Sequence, residues 1–458
     1  FFHPLVAVDA DTLLAMGGED EEGKIANVEV VHLKAAAAGS SDAAPRASKA
    51  SGGRPTSDIS GWGQWRGPQR DGHSPDAGWN KDWSGDGPRN LWKAQVGVGM
   101  SSPVVASGRV LLHGNDGQEM DRIQAVDLVT GASLWEVTVP GAAKVHEMPI
   151  VPAGPAATPT VEGDRVFTLS RDGQLRVLRL EDGGEVWKKD LVADLGGKRP
   201  VYGYTQSPLV HDGVLYLDIG AATGAAGSTV ALDAASGEIR WRSGTGEAGY
   251  SSARTWTHGG KPVVAMFKGE GLSVFSPADG QSVGWYPTTS RDFCNSLTPV
   301  FVGDRVLVSN TGKDPAALLE WASGTVQPAW TNASFALLFN NALLHDGCLF
   351  GFNEQRRGVN EFTCLDAATG ATRWVSDAVD LGVFLLSDRH WLFFSRKGEM
   401  ALAPASRDGL QPMAKFQAVG GKCYATPALA GGILVARNND GDVAAYDLRV
   451  KGSAAAGR

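Results

Sequence analysis

The chain repeats one phrase. AVDLVTGASLW (125–135), VALDAASGEIRW (230–241) and TCLDAATGATRW (363–374) share a single pattern, with looser copies at VLRLEDGGEVW (177–187) and SVFSPADGQSVGW (273–285). Self-similarity at a period of roughly 20–50 residues marks a solenoid, propeller or array, because each unit can bury its apolar face only against a neighbour. Within the phrase, an alternating run ending in Leu-Asp reads as a strand. The following x-x-Thr/Ser-Gly reads as a tight turn in which glycine supplies a positive φ, and the next strand carries Trp.

A second marker alternates with the first. SPVVASGRVLL (102–112), TPTVEGDRVFTL (158–169), SPLVHDGVLYL (207–217), TPVFVGDRVLV (298–308) and TPALAGGILVA (426–436) each place Ser/Thr-Pro before two apolar runs joined by a glycine turn. Together the markers give four short antiparallel strands per unit, one propeller blade. Pro103, Pro159, Pro208, Pro299 and Pro427, with degenerate equivalents near Ala253, Ala342 and Val383, make eight. Trp135, Trp187, Trp241, Trp285, Trp330 and Trp374 close six of the blades. The eighth, Thr426 to Leu448, lacks a Trp strand, whereas LWKAQV (91–96) is a Trp strand with no blade before it. The expectation is an all-β, eight-bladed β-propeller of four-stranded antiparallel blades, ring closed by an N-terminal strand around Trp92, which removes two open sheet edges.

Composition supports a turn-rich globular β protein: 43% apolar and 20% charged residues, with 59 Gly and 14 Trp among 458. The net charge of −8 argues against nucleic acid as a partner, since phosphate binding needs a basic stripe. No apolar run reaches membrane-spanning length, so no transmembrane segment is expected. Residues 1–34 read as a β-hairpin or partial kelch-like blade, 35–60 as a flexible Ala/Ser/Gly/Pro linker, 61–450 as the propeller and 451–458 as a disordered tail.

The A-x-D-x-x-T-G-x-x-x-W phrase, the Ser/Thr-Pro strands and the eightfold count resemble the pyrroloquinoline quinone (PQQ) propeller repeat, shared by quinoprotein alcohol dehydrogenases and by BamB-like scaffold proteins. The opening WGQWRGPQRDGHSP (62–75) followed by LWKAQVGVGMSSPVV (91–105) resembles the exported bacterial branch of that repeat family. The resemblance covers about 61–450 and implies the fold, with the Trp of each repeat docking between neighbouring blades. It leaves function open, because the repeat is a packing device.

Quinoprotein dehydrogenases of this shape combine adjacent cysteines over the cofactor with a Glu/Asn/Asp set for calcium. Cys294, Cys348, Cys364 and Cys423 include no adjacent pair. No cofactor is therefore expected, with PQQ and calcium kept as the alternative. Cys348 and Cys364 lie on adjacent strands of the sixth blade, and a cross-strand disulfide can form there only if they pair without a register offset, which the sequence does not specify. No Ser/His/Asp triad, phosphate loop or metal-spaced His/Cys set stands out. The tips Arg171-Asp172-Gly173, Arg396-Lys397-Gly398 and Asn439-Asp440-Gly441 are explained by turn chemistry and lack the spaced oxygens of a calcium loop.

In an inside-out blade, the connections after the Trp strand emerge on the same face as those between the second and third strands. The long and chemically varied loops all belong to that face. His146, Glu147, Tyr202, Tyr204, Tyr250, Arg254, Asn295, Asn341 and Tyr424 fall just before or at the start of innermost strands. They are the candidate channel-mouth residues, either binding a ligand or partner or satisfying one another in a polar channel. Arg356 and Arg357 form a guanidinium pair on a long loop that can grip a carboxylate or phosphate. Ser102, Thr158, Ser207, Ser252, Thr298, Asn341 and Thr426 form a nearly complete polar ring, expected to bond to nearby backbone where strands begin.

The functional expectation is a non-catalytic binding or scaffolding propeller, extracytoplasmic, engaging a protein or polymer partner through the long-loop face. A PQQ-dependent oxidoreductase and a carbohydrate-binding or carbohydrate-active propeller are the two alternatives.

Overall fold

Antiparallel pairing carries almost the whole fold. In a computed structural model, residues 61–450 are described apart from 86, 147–151, 223–224, 313–314, 323 and 355–360, together with the backbone of three strands near the start of the chain. Two units are present, Phe1–Ala44 and Pro45–Arg458. The first holds a three-stranded antiparallel sheet of Leu5–Asp9, Thr12–Met16 and Val28–His32. The proposed linker at 35–60 and the tail at 451–458 lie outside the described residues.

The second unit is an eight-bladed propeller. Blade one consists of Val104–Ala106, Arg109–Asn115, Met120–Asp127 and Ser133–Pro140, paired in chain order from the axis outward. Blades two to six repeat this order. Blade seven, from Gly382–Ser387 to Ala414–Gln417, gains a fifth strand when His73–Ser74 adds in parallel to Leu386 and Ser387. Blade eight takes Ala428–Ala430, Ile433–Arg437 and Asp442–Asp447 from the C-terminal end and its outer strand, Arg89–Gln95, from the N-terminal side. Trp92 pairs with Ala445 in this closure. Arg437 reinforces it, donating to the carbonyls of Gly97, Gly99, Ser101 and His113 at 2.7–3.2 Å from a fully buried position.

The repeated phrase has a local cause at each letter. Asp127 Oδ1 accepts from the backbone N–H groups of Val129 and Thr130 and from the Thr130 hydroxyl at 2.8–3.0 Å, shaping the turn. Asp233 and Asp366 do the same for their turns. The turn glycine then lies under the tryptophan of the preceding blade. Gly131 has φ +70°, and a Cβ there would meet Trp92 Cγ at 2.5 Å. The indole N–H groups of Trp92, Trp135, Trp187, Trp241, Trp330 and Trp374 each donate to a turn carbonyl of the next blade at 2.9–3.2 Å.

Trp285 departs from this expectation. One residue more separates it from Gly280 than separates Trp241 from Gly237, and a one-residue slip in a strand moves a side chain to the opposite face. Gly284 therefore takes the docking position, opposite Val274, and Trp285 sits 42% exposed on the outer strand. Trp321 of blade five fills the vacated slot, and a Cβ on Gly284 would meet its indole at 2.8 Å.

Candidate functional site: a filled axis and a long-loop rim

The segment Trp62–Ser74 crosses the centre of the ring and touches every blade. Trp62 bridges to Val105 of blade one, and Gly63 accepts from the Val161 N–H of blade two at 2.7 Å. Arg70 donates to the Ser207 and Pro208 carbonyls of blade three at 2.8 and 2.9 Å. Arg254 of blade four donates to the Gln69 carbonyl at 3.0 Å, and Trp65 Nε1 to Thr298 Oγ1 of blade five at 3.0 Å. Arg66 reaches the Ala342 carbonyl of blade six at 2.8 Å. Gly72 accepts from Leu386 N–H of blade seven at 2.9 Å, and Ser74 donates to the Leu429 carbonyl of blade eight at 3.2 Å.

The plug enters from the short-turn side. A groove beside it is lined by Gly61, Gly63, Gln64 and Pro68 on one wall and by the turn residues Ala106, Ser107 and Gly163 on the other. Burial pushes Arg66 and Arg70 down to about 9; the charge of Asp71 counteracts this at Arg66, while Arg254 repels both guanidinium groups. At Asp71 burial alone would raise the carboxyl, but hydrogen bonds from His73 and the charge of Arg254 outweigh it and hold the group at about 2.

Above the plug the polar ring is real, but its bonds run between blades. The N–H groups of Ser102, Thr158, Ser207 and Thr298 donate to the side-chain oxygens of Thr158, Ser207, Ser252 and Asn341, each on the next blade, at 2.8–3.1 Å. Thr426 N–H donates to Ser102 Oγ at 2.9 Å and carries the pattern across the closure. Between blades four and five, the Thr298 hydroxyl receives the indole of Trp65 instead.

The candidate mouth residues divide into three groups. His146, Tyr202 and Tyr250 come together on the long-loop face. The His146 and Tyr202 rings are 5.5 Å apart, and those of Tyr202 and Tyr250 5.8 Å. Tyr202 donates its hydroxyl to Asp292 Oδ2 at 3.1 Å, and its N–H to the Tyr250 hydroxyl at 3.2 Å. Burial pushes the Tyr250 phenol well above its ordinary range. Tyr424 belongs to a separate cluster, with the Arg396 guanidinium 5.1 Å over its ring and Phe339 edge-on at 6.3 Å.

Tyr204, Asn295, Asn341 and Arg254 bond within the fold. Tyr204 is buried and donates to the Ile219 carbonyl at 2.9 Å. Buried Asn295 braces its loop through the carbonyls of Lys268, Gly269 and Thr288 at 2.8–3.1 Å. Asn341 is part of the polar ring, and Arg254 turns inward over Phe301 toward the plug. A strand-start position specifies which end of the blade a residue occupies but not which neighbour its side chain meets. Glu147, Arg356 and Arg357 lie outside the described residues.

Several rim features escaped the sequence reading. Asp292 and Phe293 both adopt left-handed backbone, φ +55° and +56°, and Phe293 is 38% exposed. Phe339 falls in the apolar run FALLFNNALL, yet it is exposed. The plug meets the blades through partners far away in sequence, and its internal bonds have no period to betray it. All four cysteines are free. Cys364 stands opposite Phe350 and Cys348 opposite Asp366, so the two thiols are offset by two residues, and the condition for the cross-strand disulfide fails.

Sequence comparison agrees with this architecture. The family model for the outer membrane protein assembly factor BamB matches residues 119–376, more than half of the chain. The chain belongs to the BamB family. No curated protein sequence matches it. Among solved structures, this family member is similar to BamB from Moraxella catarrhalis, with 11% identity, TM-score 0.57, and 79% of this chain and 99% of that one covered. It is equally similar to the quinohemoprotein alcohol dehydrogenase ADHIIG from Pseudomonas putida HK5, with 14% identity, TM-score 0.57, and 87% and 82% covered. The computationally designed Ika8 protein follows, with 12% identity, TM-score 0.53, and 78% and 98% covered. Likeness at these identities shows the shared propeller fold.

The fold raises the question of a quinone. Trp65, Arg66 and Arg70 occupy the axis up to the polar ring. Among the described residues no three His, Cys, Asp or Glu side chains gather to hold a metal ion. These residues do not fit a quinone with calcium at the axis.

Proposed function

We propose that this BamB-family propeller is a non-catalytic scaffold that engages a protein partner through its long-loop face, outside the cytoplasm. The observation that carries the reading is the filled axis: with Trp62–Ser74 bonded to all eight blades, recognition is left to the loops of the rim. That rim displays Val192, Val201, Phe293 and Phe339, while Val186, Ile239, Val283, Trp285 and Val375 lie on outer strands and Met413 just before one. Aromatic side chains on a rigid frame suit protein recognition. The extracytoplasmic location is supported by the family description. Among the described residues no helix is long and apolar enough to cross a membrane.

The test is site-specific photo-crosslinking in the native host. A benzophenone amino acid at Phe293 or Phe339 is expected to capture a discrete protein, and the same probe at Ile239 on an outer strand is expected to capture none. Equal capture at all three positions, or none at either rim position, overturns the reading.

A further inference from the structure

We infer that the end of the plug is a latch that mild acid releases, worked by the histidine pair His73 and His345. His73 opens the two-residue strand His73–Ser74 that joins the plug to blade seven, and His345 ends the innermost strand of blade six, Leu343–His345. The two rings lie 6.5 Å apart across this joint. Histidine is the side chain whose charge changes at mild pH, and two imidazoles this close resist being charged together. The inference is independent of the rim.

The joint is already cationic. On the plug side, Arg66 Nη2 donates to the Asp71 carbonyl at 3.0 Å, and Arg254 Nη2 stands 3.7 Å from Asp71 Oδ2. On the blade side, the turns after the two inner strands bring Asp346 and Arg389 to His345. Asp388 beside Arg389 is neutralised by Lys81, and His390 donates from Nδ1 to the Asp388 carbonyl at 2.7 Å. The guanidinium groups of Arg66, Arg254 and Arg389 thus stand against the carboxylates of Asp71 and Asp346 before either histidine of the pair is charged.

Protons therefore enter unequally. Asp71 Oδ1 lies 3.4 Å from His73 Nδ1 and favours a charge on that ring. At His345, burial, His73 and Arg389 oppose the charged form while Asp346 favours it, and the balance lies below the ordinary histidine value. A base with lowered proton affinity stabilises the closed joint above its ordinary value of 6.5, and that contribution is lost as pH falls through 6.5 toward the lower folded value. What opens is short. Leu386 N–H reaches the Gly72 carbonyl at 2.9 Å within the joint, while Trp79 Nε1, bonded to Ser387 Oγ at 2.9 Å, keeps the following chain on blade seven. Release therefore frees residues 71–73 and opens the plug beside blades six and seven, with the chain tethered on both sides.

The test is hydrogen–deuterium exchange of the full chain at about pH 7.5 and about pH 5.5, read by mass spectrometry and corrected for the pH dependence of intrinsic exchange. The peptide containing Leu386 is expected to lose about tenfold in protection at the lower pH. The peptide containing Val105, whose N–H bonds to the Trp62 carbonyl at the other end of the plug, is expected to keep its own. His345→Gln, at a half-buried position, leaves the His73–Asp71 pair in place, so protection at Leu386 is expected to hold or rise on acidification. His73→Gln removes the other ring and is expected to abolish the loss as well. No loss at Leu386, an equal loss at Val105, or a loss that persists in either variant overturns the inference.

Discussion

Trp321 donates its indole N–H to the carbonyl of Val283 at 3.1 Å, the reverse of the direction in which the other docked tryptophans reach from one blade to the next. The inversion follows from one inserted residue. The bulge itself recurs in the other blades, with Arg240 holding in blade three the place that Val283 holds here, so Trp285 falls one place late because one residue more separates it from Gly280. Deleting Val283 is expected to swing Trp285 into the slot held by Trp321 and to lower the melting temperature. Combining the deletion with Trp321→Ala should recover much of the loss. Trp321→Ala alone empties a partly buried slot and should cost about 1–3 kcal/mol, while exposed Trp285→Ala should cost under about 1 kcal/mol. Thermal melts of the four variants test this; an additive double mutant would remove the shared slot.

Blade number and closure were legible because Asp, Gly and Trp act locally or on an adjacent blade at a constant spacing. The Trp285 exception was legible too, since counting from Gly280 exposes the extra residue. For Tyr204 and Asn295 the sequence left a binding and a structural role both open, because a polar residue before an inner strand looks the same whether it faces the mouth or a buried carbonyl. The plug was unreadable for another reason. Arg66, Arg70 and Trp65 are specified by carbonyls and a hydroxyl 137 to 276 positions away, and no local pattern encodes such partners.

Ring closure should depend on Arg437. It is fully buried, burial lowers its proton affinity to about 10, and it donates to the neighbouring Asn438 carbonyl and to carbonyls on the closing segment and blade one. Arg437→Met fills similar space but strands those carbonyls without donors, at a cost of at least about 3 kcal/mol. Protease sensitivity between Gly97 and Ser101 is expected to rise in step with the fall in the urea midpoint. Unchanged cleavage would separate Arg437 from the closure.

The plug should also make the fold acid-sensitive through Asp71. Its carboxyl is held at about 2 in the folded chain against an ordinary value of 3.8. A depressed acid stabilises the fold at every pH above about 4, and the contribution, about 2 kcal/mol before discounting for its partial exposure, is lost as pH falls toward 2. Asp71→Asn should lower the urea midpoint at pH 6 and flatten its decline between pH 5 and pH 2. Parallel wild-type and variant curves would show that Asp71 is not the group responsible.

A quinone offers the sharpest discrimination between scaffold and oxidoreductase. Pyrroloquinoline quinone is a flat polyanion that works with a divalent cation, and such a cation needs six or more oxygen ligands. The axis supplies Trp65, Arg66 and Arg70 locked to three different blades, and withdrawing them would break bonds to Thr298, Ala342, Ser207 and Pro208. Adding the quinone with calcium is therefore expected to leave the melting temperature unchanged and to produce no alcohol-dependent dye reduction. The arginines alone could attract the anion weakly from solution. A salt-sensitive shift without calcium dependence would report that attraction, whereas a calcium-dependent shift with dye turnover would mean that the plug yields the axis to a cofactor and that the protein is an enzyme.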